Sequence, residues 1–312
     1  MTVPDFTPDK PLRIGTRRSP LAMAQAEMAA TAIREAYALD DAAVVLVPML
    51  STGDKIQDRP LAEIGGKALW TKELERALIE GQIDIGVHSM KDVETVRAPE
   101  FTLSAMLPRA DVRDRLVGAA NVEALPHGAH IGTSSPRRAA QLKAMRPDLR
   151  ISPIRGNVAT RLAQIEAGDF DATMLAAAGL DRLGMGDIGT CLPIEDMLPA
   201  SAQGAIGIDH LSARGELAAF LAAINDEATF AAVMAERAFL AALGGNCHSP
   251  VAAHAVIRTD AIELRGELLN EDGSEHHTGS LTFAASDADG PARLANMLMD
   301  KASDDLRALF DA

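Results

Sequence analysis

His88-Ser89-Met90-Lys91-Asp92 sets a hydroxyl, a cation and a carboxylate directly after the apolar run Ile83-Asp84-Ile85-Gly86-Val87. The run reads as a buried strand, so Lys91 and Asp92 fall at a strand's carboxyl end. A carboxylate there can do acid/base work or stabilise a developing cation, and Lys91 can hold a substrate anion. The same residues also fit a surface turn with a solvated Lys-Asp pair.

A second constellation is built from arginine. Thr133-Ser134-Ser135-Pro136-Arg137-Arg138 and Ile154-Arg155-Gly156-Asn157-Val158-Ala159-Thr160-Arg161 each bring Arg to a predicted helix start, and Arg17-Arg18 precede Ser19-Pro20. A helix N-terminus carries unpaired N–H groups and a positive partial charge, so Arg is locally unfavourable there unless an anion is bound. One such Arg fits an exposed, solvated helix equally well. Arg17, Arg137, Arg138, Arg155 and Arg161 together point to a ligand with several carboxylates, because each guanidinium fork matches one carboxylate.

Cys247 lies in Gly244-Gly245-Asn246-Cys247-His248-Ser249-Pro250, a flexible loop rather than an apolar run. A nucleophile, a redox site, an attachment point and a plain structural thiol all remain open. Cys191, beside Leu192-Pro193, reads as a small filler. Gly65-Gly66-Lys67 lacks the Walker spacing and is either a turn or a mobile loop over a cleft.

These residues need elements to position them. Leu12 to Gly15, Val44 to Met49 and Ile83 to Val87 read as strands. Helices are expected from Ser19-Pro20 through residue 38 and from Trp70 to Glu80. Alternating strands and helices predict a mainly parallel, helix-covered sheet. The opening pattern then returns: Ile14-Gly15-Thr16 with Ser19-Pro20 resembles Ile131-Gly132-Thr133 with Ser135-Pro136. Two α/β domains of similar design follow from that repeat. After about residue 220 the reading changes to Ala-rich helices at 214–224 and 226–243. Strands follow at 251–258, 261–269 and 276–284, then one final helix at 289–310. This is a separate small α+β domain.

Composition sets the outer limits. The chain has 312 residues, 30 Lys+Arg and 44 Asp+Glu, for a net charge of −14, and aromatics are 3%. An acidic chain with few stacking platforms is a poor general nucleic-acid binder. The 30 cations divide into 23 Arg and 7 Lys, a ratio that codon bias also explains, although it does not explain their placement. Two cysteines make no disulfide framework, and the eight His show no metal-ligand spacing, so no metal is expected. The start, MTVPDFTPDKP, has no basic n-region or apolar h-region, and no apolar run reaches the length of a membrane span. A cytoplasmic protein without a membrane partner is expected.

Taken in order, RIGTRRSPLA, VLVPMLSTGDKI, GGKALWTKELE, DIGVHSMKDV, IGTSSPRRAAQL, IRGNVATRL, AAAGLDRLG, LPASAQGAIGI and ERAFLAALGGNCHSP resemble the porphobilinogen deaminase (hydroxymethylbilane synthase) family. The likeness runs from about residue 12 to 251; beyond that only the pattern matches. Asn246 stands where Gly often precedes the family's Cys, and Ser201-Ala202 stand where Val-Gly is common.

The resemblance implies two periplasmic-binding-protein-like α/β domains plus a small C-terminal α+β domain. The division is 1–104 with 203–222, then 105–202, then 223–312. It implies a dipyrromethane cofactor held covalently on the Cys247 sulfur. Four porphobilinogen units then condense head to tail with loss of ammonia, and water releases linear hydroxymethylbilane, a tetrapyrrole precursor. Asp92 is the implied catalytic carboxylate. Arg17, Ser19, Lys67, Ser89, Lys91, Thr133, Ser134, Ser135, Arg137, Arg138, Arg155, Gly156, Asn157, Arg161, Arg182 and Gln203 are implied to bind cofactor or substrate, with Lys67 on the lid. The expected partner is porphobilinogen alone, and the expected state a monomer. The rival reading is a cytoplasmic two-lobed organic-anion-binding protein without catalysis.

Overall fold

A computed structural model describes residues 4–49, 69–246 and 249–310. Lys67 and Cys247 lie outside the described residues. The chain forms two compact units, Met1–Arg109 with Ala205–Phe230, and Ala110–Gly204 with Ala231–Ala312.

In the first unit, β1 (Leu12–Arg17) leads through Ser19 into α1 (Pro20–Tyr37). The Ser19 hydroxyl oxygen accepts from Ala22 N–H at 3.3 Å, and Pro20 takes the first helical position, where no N–H is needed. Strand β2 (Val44–Met49) pairs parallel with β1, as does β3 (Ile85–Ser89). Helix α2 (Leu69–Ile79) precedes β3, and β4 is Phe101–Met106. Leu12, Ile14, Ile33, Ile85 and Ile208 are fully buried in one core. Each such side chain contributes about 1.5–3 kcal/mol of hydrophobic burial.

The second unit holds β5 (Asp114–Val117), β6 (His130–Gly132), α3 (Pro136–Met145), β7 (Arg150–Ser152), α4 (Val158–Glu166), β8 (Ala172–Ala176), α5 (Ala177–Arg182) and β9 (Thr190–Cys191). Strand β10 (Ile206–Leu211) belongs to the first unit, and α6 (Gly215–Leu221) packs on the core there. The two five-stranded sheets have the orders β2-β1-β3-β10-β4 and β7-β6-β8-β5-β9. Each has three adjacent strands joined by parallel pairings, then a fourth that runs antiparallel to both neighbours.

The sheets are therefore mixed, not mainly parallel. Strands β10 and β5 enter where the chain passes from one unit to the other, and no crossover helix fixes their direction.

After α7 (Glu227–Ala242) comes an antiparallel sheet of β11 (Val251–Arg258), β12 (Ala261–Leu269) and β13 (His276–Ala284) with its own core around Phe239, Leu264 and Leu298. The expected single C-terminal helix is two, α8 (Gly290–Met299) and α9 (Asp304–Ala308). Ser303 divides them: its oxygen accepts from Leu306 N–H, and its O–H donates to Glu275 at 2.5 Å. Among the described residues no single helix is long and apolar enough to cross a membrane.

Candidate active site

In the first unit, the carboxyl end of β3 runs into a 3-10 turn, Met90–Asp92. Met90 is the buried pivot: its N–H donates to Ala205 C=O at 3.1 Å, and its side chain lies over Gly207, where an added Cβ would strike the sulfur. Lys91 and Asp92 are half-buried on the turn. Ser89 Oγ accepts from Gln25 Nε2 at 2.7 Å, and Arg17 ends β1 half-buried. Ser19 is placed as the α1 cap. Arg17, Ser19, Ser89, Lys91 and Asp92 thus share the carboxyl-end region of the parallel strands β1 and β3.

In the second unit, two loops are tied together. Thr133 N–H donates to Ser152 C=O at 2.9 Å, and Ser134 Oγ donates to Ile154 C=O at 2.7 Å. Ser135 caps α3, its oxygen facing Arg138 N–H at 3.5 Å, and Thr133 Oγ1 accepts from Ser135 N–H. Asn157 caps α4, accepting from Thr160 N–H at 2.9 Å. Gly156 has φ +98°, and an added Cβ would stand 2.6 Å from Thr160 Cβ, so only glycine fits before this cap. Arg161 Nε donates back to Gly156 C=O at 3.0 Å, while Arg155 is half-buried beside them.

Arg137 and Arg138, expected to pair with ligand carboxylates, already have an internal partner. They are 3% and 6% exposed, and the anion at this helix start is the protein's own Asp114. Arg137 Nη1 lies 2.8 Å from Asp114 Oδ2, and Arg138 Nη2 lies 2.7 Å from Oδ1. Gln203 Nε2 donates to the same Oδ1 at 2.9 Å and to Val112 C=O. Burial opposes ionisation of Asp114, yet the two guanidiniums outweigh it and hold the carboxyl well below its usual range. Burial also lowers the Arg137 pKa.

Sequence reasoning missed Asp114. The available signal was an acid between two Arg, Arg113-Asp114-Arg115, at a strand start. It also missed Gln141, which accepts from Arg137 Nη1 at 3.0 Å and donates to the Glu267 carboxylate of the C-terminal sheet.

Arg182 closes the set. Its Nη2 donates to Gly204 C=O at 2.7 Å, and burial brings its pKa down to about 10. Among the described residues the Nε–H groups of Arg137, Arg138 and Arg182 are buried and find no acceptor. An unmet buried donor costs about 1–3 kcal/mol, so this cluster suits a bound polyanion. No group of three His, Cys, Asp or Glu among the described residues could hold a metal ion.

A family model described as "Porphobilinogen deaminase, dipyromethane cofactor binding domain" matches residues 12–219, and that family's C-terminal domain matches 230–300. The porphobilinogen deaminase of Sphingopyxis alaskensis is 56% identical over 97% of this chain and 98% of that protein. The chain belongs to the porphobilinogen deaminase family.

The deaminase of Paracoccus denitrificans is 49% identical over 86% of this chain and 87% of its own. The aliphatic sulphonate-binding protein SsuA of Escherichia coli overlays at TM-score 0.40 and 16% identity, over 73% of this chain and 68% of its own, a likeness too slight to bear on the site. Membership in the deaminase family sets aside the non-catalytic anion binder. The unmet guanidinium donors fit the deaminases' dipyrromethane, whose rings carry carboxylates.

Proposed function

We propose that Asp92 carries the acid/base and electrostatic work of the family's reaction, and that the second unit's arginines hold its anions. The chain is a transferase that condenses porphobilinogen stepwise into hydroxymethylbilane for tetrapyrrole biosynthesis. The observation that carries the proposal is the half-buried turn at the carboxyl end of β3, with Lys91 and Asp92 side by side.

Each condensation breaks an aminomethyl C–N bond, releases ammonia and forms a C–C bond between rings, with loss of a ring proton. The electrophile left by ammonia is cationic. The Asp92 carboxylate stabilises that charge, accepts pyrrole N–H bonds and passes protons to the leaving amine and from the new junction. Lys91, Arg17, Arg155, Arg161 and Arg182 pair with ring acetates and propionates. Ser19, Ser89, Thr133, Ser134, Ser135, Gly156, Asn157 and Gln203 shape and hold the loops. Arg137 and Arg138 hold ligand anions as well, their forks fixed by Asp114, and their Nε–H groups find no acceptor among the described residues. Cys247 anchors the dipyrromethane as a thioether, and Lys67 contributes to binding cofactor or substrate. When bound, the dipyrromethane supplies the primer pyrrole.

The two sheets of like order support two lobes of periplasmic-binding type, and the separate core around Phe239 supports a third domain. The proposed bounds are 1–104 with 203–222, 105–202 and 223–312. A cytoplasmic monomer with porphobilinogen as its small-molecule partner and no membrane partner completes the proposal, and the acidic charge and low aromatic content speak against nucleic acid.

Intact-protein mass spectrometry tests the anchor. A two-pyrrole adduct is expected on the native protein and absent in Cys247→Ser; a fully active protein without the adduct overturns it.

A further inference from the structure

A buried ion network lies behind the turn. Asp209 on β10 is 1% exposed, and its two oxygens serve two different segments. Oδ1 is 2.8 Å from His88 Nε2, at the end of β3, and Oδ2 accepts from Arg97 Nη2. His88 lies four residues before Asp92, and Arg97 lies five after it. Arg97 also reaches Glu75 of α2 at 2.5 Å and Glu94 at 3.1 Å, and Thr71 of α2 donates to Glu94. Its guanidinium stands over the Phe101 ring, 5.1 Å from the centroid.

The site for Asp209 is built. It opposes Gly86 on β3, and an added Cβ there would stand 2.6 Å from Asp209 Oδ1 and 3.0 Å from His88 Nε2. Strand β4 shifts register beside it: Ile208 pairs with Ala105, Asp209 with Leu103, and Ser104 is the extra residue. Bulges of this kind re-aim side chains.

We propose that Asp209 staples the two flanks of the Lys91–Asp92 turn, which makes Asp209 and Arg97 positioning residues for Asp92. This rests on the reading of Asp92 given above. Three carboxylates converge on Arg97, so its loss frees the far flank of the turn while the near flank stays on its strand. Buried ion pairs are a poor source of net stability compared with apolar packing of the same shape. What they supply here is a fixed path for residues 88 to 97. Acid/base catalysis depends on that path, since a displacement of about 1 Å can cost on the order of a hundredfold in rate.

The test uses the cofactor-loaded enzyme. In Arg97→Met, kcat is expected to fall by on the order of tenfold or more. KM for porphobilinogen should stay within about threefold, the signature of a loss confined to the chemical step. The adduct mass stays unchanged. Hydrogen exchange speeds up at the amides of residues 90–97 and not in β1 or β6. Arg97→Lys, which keeps one charge but not the fork, recovers part of the rate. A kcat within about twofold of the parent in Arg97→Met overturns the staple, as does a rise in KM alone. Should Arg97→Met fail to fold, Thr71→Val removes one donor to Glu94 without changing shape. It should then show a smaller kcat loss with the same exchange signature, and its absence overturns the proposal. Asp92→Asn separates the two readings. If it is inactive while Arg97→Met turns over normally, only the staple fails; if it is fully active, both fail.

Discussion

Arg138 donates to Asp114 across 2.7 Å, and both side chains are shut away from water. Asp114 opens β5 and Arg138 sits in the first turn of α3, so the contact ties the first strand of the second unit to a helix N-terminus. Three positive influences, Arg137, Arg138 and the helix end, share one internal carboxylate.

Asp114→Asn keeps the shape and removes the charge. Two buried guanidiniums then face each other without an anion, a situation that costs about 3–5 kcal/mol. Denaturant unfolding of the cofactor-free protein should show that loss. The pH dependence carries the same sign. The folded-state pKa of Asp114 is depressed, so its contribution is present above the ordinary carboxylate value of about 3.9 and fades as pH falls below it. The parent should therefore have a steeper acid limb of stability than Asp114→Asn. Parallel limbs below about pH 4 would remove Asp114 from this role.

Arg182 behaves in the opposite way. It is buried enough to lower its pKa to about 10, it donates to Gly204 C=O, and its Nε–H has no acceptor among the described residues. A cation held so poorly by its own protein is costly to the fold and available to a ligand. Arg182→Leu is expected to leave folding stability within about 1 kcal/mol of the parent. KM for porphobilinogen should rise, or adduct occupancy fall, by on the order of tenfold for one lost charge-assisted bond. A destabilised protein with normal KM and full adduct would instead make Arg182 structural.

These two arginines mark what the sequence could and could not say. Local chemistry was legible. Ser19 and Ser135 each cap the helix that their Ser-Pro spacing announced, and Asn157 caps the helix whose start was expected there, because a cap is settled within three residues. The strand that delivers Lys91 and Asp92 was legible for the same reason. The direction of β5 and β10 was not, since it depends on where the chain crosses between units. Nor was Asp114, whose partners lie 24 and 89 residues away. The division of the C-terminal helix turned on Ser303 meeting Glu275, 28 residues earlier. An Arg at a helix start signals an anion, but spacing alone does not tell an internal carboxylate from a ligand.

Asp92→Asn decides whether the turn does chemistry or only binds. The amide is isosteric and still accepts one hydrogen bond through its oxygen, so the turn and the loops that hold anions should survive. It cannot take up a proton at neutral pH or balance a cationic pyrrole. Loss of general acid/base function costs on the order of a hundredfold to ten-thousandfold, and loss of electrostatic stabilisation adds to it. The expected enzyme therefore carries its two-pyrrole adduct, binds porphobilinogen with KM within about threefold of the parent, and turns over at least about a hundredfold more slowly. Lys91→Met should show the converse, a raised KM with kcat less affected, because a substrate-anion contact made equally in ground and transition states changes binding alone. If Asp92→Asn instead loses its adduct while Lys91→Met loses kcat, the two neighbours have exchanged roles and the carboxylate belongs to assembly of the holoenzyme.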